Sequence, residues 1–230
     1  MQSKLKKSFI SFARDLYKDE KKVNLHRPIF EGNESKYVLE AIQSNYVSSV
    51  GKRVDEFETK VARYTGSKHA VAVVNGTSAL HVSLQLLGVK SNHEVITQAL
   101  TFIATCNAIS YCDAIPVFID VDRETMGMSP KALLSFLNKN AEKVSGKIIN
   151  KISGREIKAC LPMHTFGFPC QIKEISKICK RWQIPLIEDC AESLGSFVGD
   201  KHTGKFGQLA TLSFNGNKVI TTGGGGMIIT

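Results

Sequence analysis

The sequence predicts an α/β fold, a mostly parallel sheet of seven strands with helices on both faces. Three observations lead there. Short apolar runs alternate with stretches whose apolar residues recur at helical spacing. No internal repeat or low-complexity linker interrupts that alternation. The 230 residues, 43% hydrophobic and 22% charged, are ordinary globular composition and can bury a sizeable core.

The elements follow in order. Leu5, Phe9, Phe12 and Leu16 recur at helical spacing, so residues 1–22 read as an N-terminal helical extension that packs on the domain or on a partner chain. Acids interspersed with the lysines make a membrane-surface helix the weaker reading. Residues 35–45 and 53–65 read as amphipathic helices. Residues 69–74 (HAVAVV) are a buried strand, and the following NGTS turns into a helix near Thr77. Residues 94–98 (EVITQ) are a strand, followed by a helix over 102–112. A strand at 115–122 precedes a helix that Ser129 caps and Pro130 opens. Strands at 157–164 (IKACLPMH) and 184–189 (IPLIED) flank a helix at 171–182. Residues 210–214 (ATLSF) and 226–230 (GMIIT) complete the seven. A last strand without its continuation is expected to leave an exposed apolar edge. Residues 23–230 are thus expected to form one large domain.

Composition excludes several classes. No stretch has the length and apolarity of a membrane span, and the N-terminus is too charged for a secretory signal. The net charge is +9, and Lys4, Lys6, Lys7, Arg14, Lys18, Lys21 and Lys22 crowd the first 22 positions. The other basic residues are scattered without interleaved aromatics, which suits small anions better than nucleic acid. The six cysteines form no CxxC and sit mostly in apolar runs, as reduced core cysteines of a cytoplasmic protein do. The histidines show no metal-ligand spacing, so no metal is expected.

In parallel sheets ligands gather at the carboxyl ends of strands, and three candidate sites fall there. Gly76, Thr77 and Ser78 open a helix after a strand, which makes an anion cradle or simply an N-cap by Thr77 or Ser78. Asp189 ends a buried strand, with Glu188 and Glu192 near it. Paired acids also serve glycoside hydrolysis or magnesium binding, but neither gives Lys218 a role. Lys218 precedes the glycines at 223–226, which permit close backbone approach or positive φ. A lysine, an anion cradle and a buried acid together suit pyridoxal phosphate. It needs an amine for a Schiff base, donors for its phosphate and a carboxylate for its ring nitrogen. Phe102 follows another strand end and is a candidate to stack on the ring.

From about residue 24 onward the chain resembles the nucleotide-sugar aminotransferases of the DegT/StrS type. NYVSSVGKRVDEFE, VNGTSALHVSL, ALTFIATCNAISYCDAIPVFIDVD, LPMHTFGFPC, IEDCAESLGS and SFNGNKVITTGGGGM carry the resemblance. It implies the large domain of the aspartate-aminotransferase fold, pyridoxal-phosphate fold type I. The first and last of those motifs resemble members that aminate C4 of 4-keto-6-deoxy nucleotide sugars, on routes to bacillosamine-, legionaminic- or perosamine-type sugars of surface polysaccharides.

The resemblance implies roles residue by residue. Lys218 forms the Schiff base and moves the proton, and Asp189 pairs with the ring nitrogen. Gly76, Thr77, Ser78 and Ser213 bind the phosphate. Phe102 stacks on the ring, Glu192 stands near the 3-hydroxyl side, and His164 lines the pocket. A dehydrating branch carries histidine at the lysine position, so Lys218 implies transamination, with glutamate as donor and a UDP- or GDP-linked sugar as acceptor. Relatives form homodimers and continue into a small C-terminal domain that this sequence lacks, which implies weak or no turnover from residues 1–230 alone.

Overall fold

A computed structural model of the chain describes residues 2–18, 24 and 26–230. The boundary expected at 22/23 lies outside them. The elements in chain order are α1 (Gln2–Leu16), α2 (Glu34–Ser44), α3 (Lys52–Thr65), β1 (Ala70–Val73), α4 (Gly76–Leu86), β2 (Glu94–Gln98), α5 (Ile103–Ser110), β3 (Ile115–Ile119) and α6 (Pro130–Asn140). Then come β4 (Ala141–Val144), β5 (Lys147–Asn150), β6 (Ile157–Leu161), α7 (Ile172–Trp182), β7 (Ile187–Asp189), β8 (Phe197–Val198), β9 (Lys201–His202), β10 (Leu209–Ser213) and β11 (Gly226–Ile229).

Two ladders make the main sheet. One runs β1-β11-β10-β7 and the other β3-β2-β6. They join between β6 and β7 through the isolated parallel bridges Cys160↔Leu186 and Met163↔Asp189. The result is the seven-strand sheet the sequence predicts. β11 alone runs antiparallel to its neighbours. It lies inside the sheet with all four residues buried, so the expected apolar edge at the last strand is not there. β1 and β3 are the edges.

Side-chain alternation along a strand sends successive residues to opposite faces, and both faces are covered. On one, Ile96 and Cys160 pack with Leu133 and Leu137 of α6 and Ile172 and Ile175 of α7. On the other, Val95, Ala159 and Leu161 pack with Leu80 and Leu84 of α4 and Ile109 of α5. Each such fully buried aliphatic side chain stabilises by about 1.5–3 kcal/mol relative to exposure. α3 closes the β10–β11 end, where Phe57 meets Phe214 edge-on at 4.9 Å.

Local chemistry sets the helix ends. Ser129 accepts the Ala132 N–H at 3.2 Å ahead of Pro130, as predicted. Gly66 ends α3 in the left-handed region at φ +69°. In α1 the four expected apolar residues are 60–73% exposed, so this face does not pack on the domain. Five of the six cysteines are buried, and all are free thiols. Among the described residues no helix is long and apolar enough to cross a membrane.

Candidate functional site

A cavity of about 300 Å³ opens at the carboxyl ends of β1, β7 and β10. One wall is the turn after β1. Asn75 has extended backbone, and its Oδ1 accepts the Ser78 N–H at 2.7 Å. The cap is therefore Asn75, and neither Thr77 nor Ser78 as expected. Gly76 and Thr77 line the cavity, whereas Ser78 stands behind them with its N–H taken by the cap. A Cβ on Gly76 would lie 2.9 Å from Ser213 Cβ, so only glycine lets the helix start meet the end of β10. Gly226 has the same duty, since its Cβ would lie 2.6 Å from Gly76 N. Gly225 adopts φ +127° beside them. The result is a helix N-terminus flanked by a serine hydroxyl and glycine backbone, a shape that receives a phosphate.

Asp189 forms the floor and is 2% exposed. Oδ2 accepts from Thr105 Oγ1 at 2.8 Å, and Oδ1 accepts from Ala191 N–H at 3.1 Å. Burial pushes its carboxyl above the ordinary aspartate range, against the pull of Thr105, Ala191 and the Lys218 ammonium. A cationic group entering the cavity would favour the ionised form. Phe102, at the N-terminus of α5, lines the same cavity.

Lys218 closes the cavity from above, in a turn beyond β10, with its side chain 11% exposed. Nζ donates to Glu192 Oε1 at 3.1 Å and lies 5.6 Å from the Phe102 ring centre. Glu192 Oε2 accepts the Phe166 N–H at 3.0 Å. Phe166 is 77% exposed and left-handed at φ 53°. Beyond Lys218 lies a second cavity of about 800 Å³, bounded by residues 24, 26–30 and 216–221. Glu192, Asn217 and Lys218 belong to both walls, so the lysine sits at the passage between them.

The comparisons fit this geometry. A sequence profile of the DegT/DnrJ/EryC1/StrS aminotransferase family matches residues 28–230. The chain belongs to this family. It is 41% identical over 210 residues to EpsN of Bacillus subtilis, which is named as a pyridoxal phosphate-dependent aminotransferase; the match covers 91% of this chain and 52% of that protein. It is 40% identical over 210 residues to the GDP-perosamine synthase of Escherichia coli O157:H7, covering 91% and 53%. The crystal structure of DesI with its TDP-sugar product superposes with TM-score 0.73 at 27% identity, covering 90% of this chain and 48% of that one. The chain spans about half the length of the curated relatives it matches. α1 lies outside the DegT/DnrJ/EryC1/StrS match.

One expected pocket residue sits elsewhere than the resemblance implied. His164 is fully buried behind Asp189 and faces neither cavity. Its Nε2 lies 3.1 Å from Glu188 Oε2. Glu188 precedes Asp189 on β7, so alternation turns its side chain to the other face of the sheet. His164, Glu188 and Cys190 place ligand atoms within 4.8 Å of one another. However, the Glu188 oxygens already accept N–H bonds from Gly204, Phe206 and Gly207. Burial opposes ionisation of Glu188, but His164 and the Gly204 and Gly207 N–H groups outweigh it and hold the carboxyl below its ordinary range. Sequence reading assigned no role to Asn75 or Thr105. For Asn75 the signal was there: an Asx residue three positions before Ser78 at a helix start.

Proposed function

We propose that the chain carries the cofactor-binding part of a pyridoxal phosphate-dependent aminotransferase, which moves an amino group from glutamate to C4 of a nucleotide-linked 4-keto-6-deoxy sugar. The observation that carries this reading is Lys218 at the passage between the two cavities, with the phosphate-shaped turn and Asp189 in the inner one. When bound, pyridoxal phosphate supplies an aldehyde for amines and a ring that accepts electrons as a proton leaves carbon.

The residues fit that group. The Gly76 and Thr77 turn and the Ser213 hydroxyl hold the phosphate, and Ser78 supports the turn through the Asn75 cap. Asp189, kept in place by Thr105 and Ala191, faces the ring nitrogen. Phe102 covers one face of the ring. Lys218 offers the amine that attaches the cofactor and later carries a proton at Nζ, while Glu192 holds that amine in place. The outer cavity takes the sugar nucleotide, UDP- or GDP-linked. The names GDP-perosamine synthase and DesI support the nucleotide-sugar class. A homodimer, a cytoplasmic setting and a role in surface-polysaccharide amino sugars belong to the same reading.

The test is to mix the chain with pyridoxal phosphate, reduce with borohydride and map the modified peptide. An adduct on Lys218, absent from Lys218→Ala, is expected; a folded chain with no adduct sinks the proposal. A second reading is a chain that binds the cofactor without turnover. Adding glutamate separates the two: loss of the cofactor's lysine-bound absorbance supports transamination, and an unchanged spectrum supports the second reading.

A further inference from the structure

The main sheet is held together at a narrow join. Between β6 and β7 there are isolated bridges and no continuous ladder. Cys160 N–H donates to Pro185 O at 2.8 Å, Asp189 N–H to Pro162 O at 2.9 Å and His164 N–H to Asp189 O at 3.1 Å. Asp189 therefore sits on the join itself. Its own half of the sheet carries Ser213 and the strand that leads into the phosphate turn. The Thr105 hydroxyl that grips it comes from α5, which packs with the other half.

Behind Asp189, four donors converge on Glu188. Oε1 accepts from Phe206 N–H at 2.6 Å and Gly207 N–H at 2.7 Å, and Oε2 accepts from Gly204 N–H at 2.9 Å and faces His164 Nε2 at 3.1 Å. His164 Nδ1 accepts the Cys170 N–H at 3.2 Å, which assigns the ring proton to Nε2 and makes it the donor to Glu188. Both side chains are 0% exposed. Apolar residues fill a core at least as favourably as a buried polar pair does. What this pair adds is a fixed distance across the join, from the segment after β6 to β7 and the loop 204–207.

We propose that His164 and Glu188 are a positioning pair that holds the two half-sheets in register at the β6/β7 join and so fixes Asp189 relative to Thr105 and the phosphate turn. Its effect on the cofactor rests on the proposed function; its effect on the join does not. The test uses His164→Phe, which removes the donor, and His164→Gln, whose amide nitrogen restores one. Hydrogen exchange is read by residue, and pyridoxal-phosphate affinity by titration.

In H164F the amides at positions 164 and 189 are expected to exchange about tenfold faster, while the β2–β3 ladder keeps its wild-type rates. The cofactor dissociation constant rises on the order of tenfold, the scale on which supporting hydrogen bonds act on ligand-holding groups. H164Q recovers most of both. Unchanged exchange at the join in folded H164F, or uniform acceleration across both half-sheets, overturns the proposal. A wild-type chain that binds no cofactor refutes the proposed function and leaves the exchange result to decide the pair. Should H164F not fold, ¹⁵N spectroscopy of the wild-type chain decides: a protonated Nε2 with bare Nδ1 supports the pair, and the opposite tautomer overturns it.

Discussion

The two cavities that meet at Lys218 are built by different means. The inner one is walled by strand ends and helix starts whose polar groups are tied down: Asp189 by Thr105 and Ala191, the turn at 75–78 by its Asn75 cap, and the β10 end by glycine-only contacts with that turn. The outer one is bounded by residues 24, 26–30 and 216–221, with Ile29, Phe30 and Val219 exposed and little regular structure. On the proposed function, the contrast teaches that rigidity is placed where a cofactor common to many reactions would bind. Adaptable surface is placed where the acceptor would be chosen, as loops on a rigid scaffold do in general.

Substitutions on either side test this contrast. The largest effect belongs to Lys218→Ala, in which peptide mapping finds no trapped adduct; an adduct on another lysine would show that the inner cavity does not direct the chemistry. Gly226→Ala comes next, because its Cβ meets the Asn75–Gly76 backbone, which cannot swing aside. It is expected to cost about 3 kcal/mol in urea unfolding, and a cost near zero would mean that the turn is not rigid. Thr105→Val leaves the buried Asp189 carboxylate one donor short, a change of about 1–3 kcal/mol. It is read as weaker cofactor binding at unchanged fold. Phe30→Ala probes the other side. It should leave cofactor affinity within about twofold and weaken nucleotide-sugar binding by roughly fivefold, about 1 kcal/mol.

The smallest effect is on pH. His202 is buried, and its Nε2 accepts the Gly195 N–H at 3.0 Å. Burial holds its pKa below the ordinary 6.5. As pH falls past 6.5 the unfolded chain takes up this proton first, so the stability is complete above 6.5 and is lost below it, down to the folded value. The loss is about 1.4 kcal/mol for each unit of depression. Thermal unfolding at pH 7.5 and 5 should show a smaller difference in His202→Gln than in the wild type. An equal difference would assign the effect to other groups, such as His93, which burial also depresses.

Much of this was legible in the sequence, for identifiable reasons. The seven main strands announced themselves because each is an apolar run ending near a turn. The helix at Pro130 did so because Ser129 and Pro130 are local signals that local bonds satisfy. The hairpins β4–β5 and β8–β9 were missed. The first follows α6 directly, and its only marker is the Ser145-Gly146 pair, both at positive φ, between strands of mixed polarity. The second pairs two residues with two across Gly199 and Asp200. In the site, Lys218 and Asp189 could be named because their chemistry is particular to their side chains. The Thr105 grip on Asp189 spans 84 residues and the Lys218–Glu192 bond spans 26, and no local pattern encodes either. His164 was placed in the pocket by its motif, whereas the alternation of β7 and the donors around Glu188 draw it to the opposite face.

The ladder of β11 has a consequence for how the molecule is made. Among the described residues β1 pairs only with β11, Ala70 opposite Ile229 and Val73 opposite Gly226, and the turn at 75–78 is pinned by the Asn75↔Gly225 bridge just beyond. During synthesis the parallel strands β2, β3, β6, β7 and β10 can find one another while β1 still waits for a partner not yet translated. Contacts so distant in sequence form late. The nascent protein therefore holds Asp189 in place before the turn at 75–78, and on the proposed function competence to bind the cofactor should appear abruptly, when β11 slides between β1 and β10.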